Sequence, residues 1–337
     1  MKRLLLAAVC FSSFLFLFLL TVTEAQKSAP TPQVLGVICL PARPLALTVA
    51  HDQGLLRKYA VDVHGQVAAN SDELRTGLAL GKFDIAHAAV DNAVAMNEKS
   101  GADVIVVLGG EGSTNELFAQ PDIHSIAELR GHTVIVDAPN TAYAIQLKKI
   151  LLLQGLEPDR DYQLKSIGAT PARLAAMREH KEYAASILGP PSSLLARQQG
   201  FPSLGSTPQM LGPYQGVGAF ARKSWANANG VLLTRYIAAF IEAQRWILDP
   251  ANKVQVVALL AREYKLPNDL AVEAYTSWVV SPGGLEPDAA IDLDGFRNVL
   301  ELRADIEHTW NGPIPSPEKY YDPACYNAAL SVLSSRK

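Results

Sequence analysis

Apolar residues recur along this chain in two alternating rhythms. Short runs rich in Val, Ile and Ala occupy 34–40, 61–67, 83–88 and 104–108, with amphipathic stretches between them at 47–59, 72–80 and 92–99. Strand-length runs alternating with helical patterns predict an α/β architecture, a mostly parallel sheet flanked by helices. The rhythm breaks at Phe118-Ala119-Gln120-Pro121, followed by a short helix over 125–129 and by Gly131. It resumes with strands at 133–136, 162–167 and 183–188 and helices at 145–154, 171–179 and 193–199. A second break, Leu211-Gly212-Pro213-Tyr214-Gln215-Gly216, precedes the apolar run 217–221. The rest reads as helices over 232–248, 254–264, 269–278 and 293–309.

The pattern also repeats itself. At 133–147 a β-branched run leads into the turn Asp137-Ala138-Pro139, where Asn140 or Thr141 is placed to cap a helix from Ala142. The run 34–40, the turn 41–44 and the helical stretch after it follow the same plan. A second match sets the helix with Leu74 and Arg75, running into Gly81-Lys82-Phe83-Asp84-Ile85-Ala86, against Arg173 and Leu174 running into Lys181-Glu182-Tyr183-Ala184-Ala185. Two matched pairs in one order predict two similar lobes. The breaks place lobe I at 33–120 and 216–337 and an inserted lobe II at 121–215, with two hinge crossings. Ligands in such sheets sit beyond the carboxyl ends of the strands. The unpaired N–H groups of a helix start suit an acidic or polar ligand group there.

The chain's first residues suggest an address. Lys2 and Arg3 precede an uncharged stretch over 4–22, and Thr23-Glu24-Ala25 supplies small residues of the kind a signal peptidase reads. Residues 1–25 are expected to be a cleaved signal peptide; an uncleaved anchor is the other reading, since the run approaches the roughly 20 residues that span a bilayer. Cleavage leaves 312 of the 337 residues, enough for two lobes. A composition of 49% hydrophobic and 19% charged residues is that of a globular protein. A net charge of −3 gives no basic footprint for nucleic acid. Cys39 and Cys325 remain after cleavage and are expected to stay unpaired.

Four segments together resemble a known family: GKFDIAHAAVDNAVAMNE, QPDIHSIAELRGHTVIVDAPNTA, GPYQGVGAFARKSWAN and AQRWILDPANK. They look like the substrate-binding proteins of ABC importers for nitrate, sulfonates, taurine and thiamine precursors. Pro121-Asp122-Ile123 through Leu129-Arg130-Gly131 is similar to that family's interlobe element. The resemblance implies a type II periplasmic-binding-protein fold, a monomer in the periplasm, a small-molecule ligand captured by hinge closure, and an ABC permease with its ATPase in the inner membrane as partners. Two other readings stay open. One is an enzyme on the same scaffold, as in thiamine-pyrimidine or menaquinone biosynthesis, against which the export signal speaks. The other is a binding module that reports ligand to a membrane sensor.

By position, the resemblance places the pocket walls at the turns 41–43, 89–92, 109–115, 138–143, 189–192 and 214–215. The ligand-binding candidates are thus Arg43, Asp91, Asn92, Gly110, Glu111 and Asn115, then Asn140, Thr141, Tyr143, Pro191, Ser192 and Tyr214. Each has an ordinary reading beside it. Arg43 either pairs with an acidic ligand through its planar fork or is a solvated loop arginine. Asp91 and Asn92 accept from a ligand or cap the next helix. Gly109-Gly110-Glu111-Gly112-Ser113 has neither dinucleotide spacing nor a Gly-Lys-Ser/Thr ending, so it reads as a pocket loop in which Glu111 disfavours a neighbouring anion. Tyr143 and Tyr214 stack on a ligand or pack at the lobe interface. Trp225, Trp246, Trp278 and Trp310 read as packing residues. The seven His are scattered and no Gly-x-Ser-x-Gly elbow occurs, so no metal, cofactor or catalysis is expected.

Overall fold

The computed structural model describes residues 31–335; the expected signal peptide, residues 1–25, lies outside them. Two five-stranded mixed sheets organise the described chain. Strands are numbered along the sequence. The first sheet holds β1 (Gln33–Cys39), β2 (Val61–Val67), β3 (Ile85–Ala89), β4 (Val104–Leu108) and β10 (Val217–Arg222), in the order β2-β1-β3-β10-β4. The second holds β5 (Glu116–Ala119), β6 (Thr133–Val136), β7 (Gln163–Ser166), β8 (Tyr183–Leu188) and β9 (Ser203–Ser206), in the order β7-β6-β8-β5-β9. β1 is parallel to β2 and β3, and β6 is parallel to β7 and β8. β10 and β5 run antiparallel to both of their neighbours. Each of these two is the strand that arrives from the other lobe, so the lobes share one plan.

The sequence places the first lobe boundary at Pro121, yet β5 already belongs to the second sheet. The first crossing is therefore 109–115. β5 has four residues and β9 reads Ser-Leu-Gly-Ser, both too short to show a period of two. The second crossing, 212–216, falls on the Gly/Pro cluster. There a Cβ on Gly216 would lie 1.8 Å from the Gly112 carbonyl oxygen, so only glycine lets the two crossings run side by side.

Helix starts follow their caps. Asn70 accepts from Glu73 N at the start of helix Ser71–Ala79, and Glu73 in turn accepts from Ala69 N. Thr141 caps helix Ala142–Leu153. On one face of the first sheet, helix Gly230–Leu248 packs against helices Leu45–Asp52 and Ala324–Ser334, burying Leu233, Ile237 and Ile241. Helix Leu293–Glu307 covers the other face with Phe296, Val299 and Leu300, and also packs on Ala142–Leu153 of the second lobe. β4 would be a free sheet edge, but Val106 N donates to Tyr320 O and Asp322 N to Val106 O. That pairing protects an edge that would otherwise template association. Cys39 and Cys325 are free thiols. No helix of the described residues is long and apolar enough to cross a membrane.

Candidate functional site

The strand-end turns of both lobes meet around one cavity. β1 delivers Pro41 to Pro44, β4 delivers Gly109 to Gly112, and β8 delivers Gly189 and Pro190. The start of helix Ala142–Leu153 adds Ala142, Tyr143 and Gln146, and the second crossing adds Tyr214 and Gly216. The cavity measures about 90 Å³. One water needs roughly 10–15 Å³ by the same measure, so there is room for a small solute.

Six of the sequence candidates line this space: Arg43, Gly110, Glu111, Asn115, Tyr143 and Tyr214. The other six do not. Asp91 is buried in a two-pronged ion pair with Arg303, whose Nε and Nη2 donate to its two carboxylate oxygens at 2.8 and 2.7 Å. Arg303 Nη2 also donates to Asn140 O in the second lobe at 3.1 Å. Asn92 accepts from Arg75 Nε at 2.8 Å and donates to Ala89 O, while Asn140 Oδ1 accepts from Arg75 Nη1 at 3.3 Å. Thr141 accepts from Ala144 N and donates to Asp137 Oδ1 at 2.5 Å. Asp137 is engaged further by Ser71 Oγ at 3.0 Å and by Arg173 Nη1 at 3.9 Å. Pro191 and Ser192 open the short helix Ser192–Gln198, one residue past the lining Pro190.

The ionisable groups left facing the cavity are few. Arg43 has a buried Nε with no hydrogen-bond partner, and its guanidinium makes no ion pair among the described residues. Glu111 Oε1 accepts from the indole Nε1 of Trp278 at 3.1 Å, and no cation reaches the carboxylate. Burial pushes that carboxyl up to about 7, and the Trp278 hydrogen bond only partly offsets it. His87, in the middle of β3, also lines the cavity. Its Nε2 meets the Tyr236 hydroxyl at 2.6 Å and its ring stacks on Phe240 at 5.1 Å. Burial drives its pKa down to about 3, so it is a neutral wall group at ordinary pH.

Aromatic faces complete the wall. The Tyr143 ring lies 4.5 Å from the guanidinium carbon of the fully buried Arg173, which fixes the ring from behind. Tyr264 meets Trp278 edge-on at 5.4 Å. The periodicity of the sequence hides these contributors. Trp278, read there as a packing residue, holds Glu111. Phe240 and Gln244 stand one turn apart on the long helix, and a glutamine on that otherwise apolar face was the available signal. Gln244 Nε2 donates to Gly110 O at 2.8 Å, which pins the loop that carries Glu111. Gly109 and Gly112 serve backbone contacts with Ala290 and Gly283 more than approach to a ligand. Among the described residues, no group of three or more His, Cys, Asp or Glu could hold a metal ion.

The family profile described as NMT1-like matches residues 27–261. No curated protein matches the sequence. Among solved structures, a protein of Bordetella bronchiseptica shares 17% identity over 89% of this chain and 98% of its own, with a TM-score of 0.75. The periplasmic nitrate-binding protein of Synechocystis shares 15% over 90% of each chain, TM-score 0.74. The alkanesulfonate-binding protein of Xanthomonas axonopodis, solved with MOPS bound, shares 16% over 88% of this chain and all of its own, TM-score 0.71. Likeness at such identity speaks for the fold, the two-lobed α/β fold of periplasmic binding proteins.

Proposed function

We propose, from the premise that the chain belongs to the NMT1-like family, that it is the solute-binding component of an ABC importer. In this reading it works in the periplasm as a monomer, closes its lobes over a small polar or acidic organic solute, and presents the closed form to a membrane permease and its ATPase. The observation that carries the reading is one cavity walled by strand-end turns of both lobes and by both crossings. A site built that way couples occupancy to lobe position. A solute touching both walls favours the closed arrangement by its differential affinity for it, and a permease can then distinguish loaded from empty protein. Contacts across the lobes, such as Ser71 Oγ to Asp137 and Lys148 Nζ to Glu307, fit the closed side of that equilibrium. The nitrate-binding and alkanesulfonate-binding neighbours support the solute-capture role.

The test is a thermal-shift screen of residues 26–337 against inorganic anions, sulfonates, carboxylates, pyrimidines, amines and amino acids. A ligand at about 100 times its dissociation constant adds about 2.7 kcal/mol, a clear rise in melting temperature. A saturable shift with the compound recovered unchanged is the expected result. A compound recovered chemically altered would overturn the binding-only reading.

A further inference from the structure

The three carboxylates near the strand ends differ in one respect. Asp91 is neutralised by Arg303, and Asp137 is held by Thr141, Ser71 and Arg173. Glu111 alone faces the cavity with one neutral N–H donor and no cation. The cavity also holds a cation without an anion, Arg43, whose Nε is buried and unpartnered. Arg43 and Glu111 share the cavity wall and form no ion pair with each other. An unpaired charge is costly in proportion to its enclosure, in full for the Glu111 carboxylate and in part for half-buried Arg43, so the two groups of opposite sign ask for two complementary groups on whatever enters. Tyr264 touches Arg43 O and Trp278 holds Glu111, the two rings meeting edge-on, and Tyr143 adds a third aromatic face to the same cavity. Flat faces of that kind suit a ring.

We propose that the solute is an aromatic or heteroaromatic compound that is amphoteric, its acidic group paired with Arg43 and an amine or ring N–H donor paired with Glu111. This deepens the solute-binding reading and rests on it. Glu111 becomes the residue that sets specificity. It repels acceptor-only anions such as nitrate and simple alkanesulfonates, which have no donor to give it, and it admits a solute that brings one. Burial raises the pKa of this carboxyl to about 7, and a cationic donor paired with it would draw it back to its charged form. Trp278 is a positioning residue, since its indole N–H fixes the orientation of the carboxylate.

The test uses isosteric probes on residues 26–337 by titration calorimetry. The 3- and 4-(aminomethyl)benzoates carry both groups, 4-methylbenzoate keeps only the acid, and 4-methylbenzylamine keeps only the amine. Nitrate and methanesulfonate serve as acceptor-only anions. The wild type should bind at least one aminomethylbenzoate ten-fold or more tighter than any single-group probe or inorganic anion, a readout that needs no variant. Glu111→Gln should abolish the preference over 4-methylbenzoate, whereas Arg43→Gln should abolish the preference over 4-methylbenzylamine. A solute released by heat from the purified protein and identified by mass spectrometry is read in the same way. Equal or tighter binding of an acceptor-only anion, a preference untouched by Glu111→Gln, or failure of every amphoteric probe while another compound of the broad screen binds would overturn the proposal and leave solute binding standing. Failure of every compound in both experiments would overturn both.

Discussion

The two lobes repeat one sheet order but dispose of their charges differently. In the second lobe the strand-end acid Asp137 is satisfied largely by its own neighbourhood, by Thr141 one helix start away and by Arg173 beneath the sheet. In the first lobe Asp91 is satisfied by Arg303, which lies 212 residues further along the chain. The first lobe also carries Arg43 and the crossing residue Glu111, which find no ionic partner. One sheet plan thus gives a lobe whose strand-end acid is held mostly by nearby residues and a lobe with two charges that have no ionic partner among the described residues. The second lobe lines the cavity with Tyr143 and Pro190; the first lines it with Arg43 and Glu111.

Removing Arg303 should break this contrast most severely. Arg303→Met leaves Asp91 buried without its counter-charge and removes the link to Asn140 O, with an expected loss of about 3–5 kcal/mol in urea unfolding. A loss below about 1 kcal/mol would mean that water reaches Asp91 once the guanidinium is gone. The second-lobe counterpart is Arg173→Met, which strips donors from Ser186 Oγ, Gly168 O and Ile187 O and should cost about 3 kcal/mol. It should also loosen Tyr143 and so weaken any ligand of the cavity, whereas Arg303→Met acts on stability first.

The first lobe's neutral His87 gives a pH signature. Its folded pKa of about 3 lies below its ordinary 6.5, so the unfolded chain takes up the proton first. Stability is full well above pH 6.5 and falls as pH drops toward 3, by about 1.6 kcal/mol between pH 6.5 and 5 for this one group. Unfolding curves of the wild type and His87→Gln across that window should converge at low pH; parallel curves would remove His87 as the cause. Glu111 works in the opposite sense. Its raised folded pKa means its contribution is present below its ordinary 4.5 and fades as pH rises through about 7, a slope that Glu111→Gln should flatten. The smallest effect should come from Ser71→Ala. Loss of one hydrogen bond between the lobes should cost about 1 kcal/mol and shift the closed population slightly, visible as a larger radius in small-angle scattering of ligand-free protein.

Local pattern reached far into this fold. The runs 61–67, 104–108, 133–136 and 183–188 are the strands β2, β4, β6 and β8 without adjustment: the last three are buried and read as near-continuous apolar runs, while the exposed edge strand β2 alternates valine with polar residues. The helix start was visible because capping depends on residues three apart, and of the two candidate caps, Asn140 and Thr141, it is Thr141 that accepts from Ala144 N. β5 and β9 stayed hidden because four residues carry too little pattern to outvote their neighbours. Of the twelve candidate residues on the strand-end turns, six line the cavity and six are turned to partners within the chain or sit beside it. Asp91 and Glu111 look alike in a sequence, each a carboxylate just after a buried strand. One is cancelled by an arginine on a late helix and the other sits under an indole, and neither partner is near it in the chain.

The sequence by itself determined that this protein has two α/β lobes of one design, with helix starts and glycine-bearing loops at the strand ends, because periodicity, caps and turns are short-range effects. Only the tertiary structure decided which charges face the cavity. The cost of an enclosed charge depends on what the rest of the chain brings within a few ångströms of it, and that is settled by packing between residues far apart in sequence.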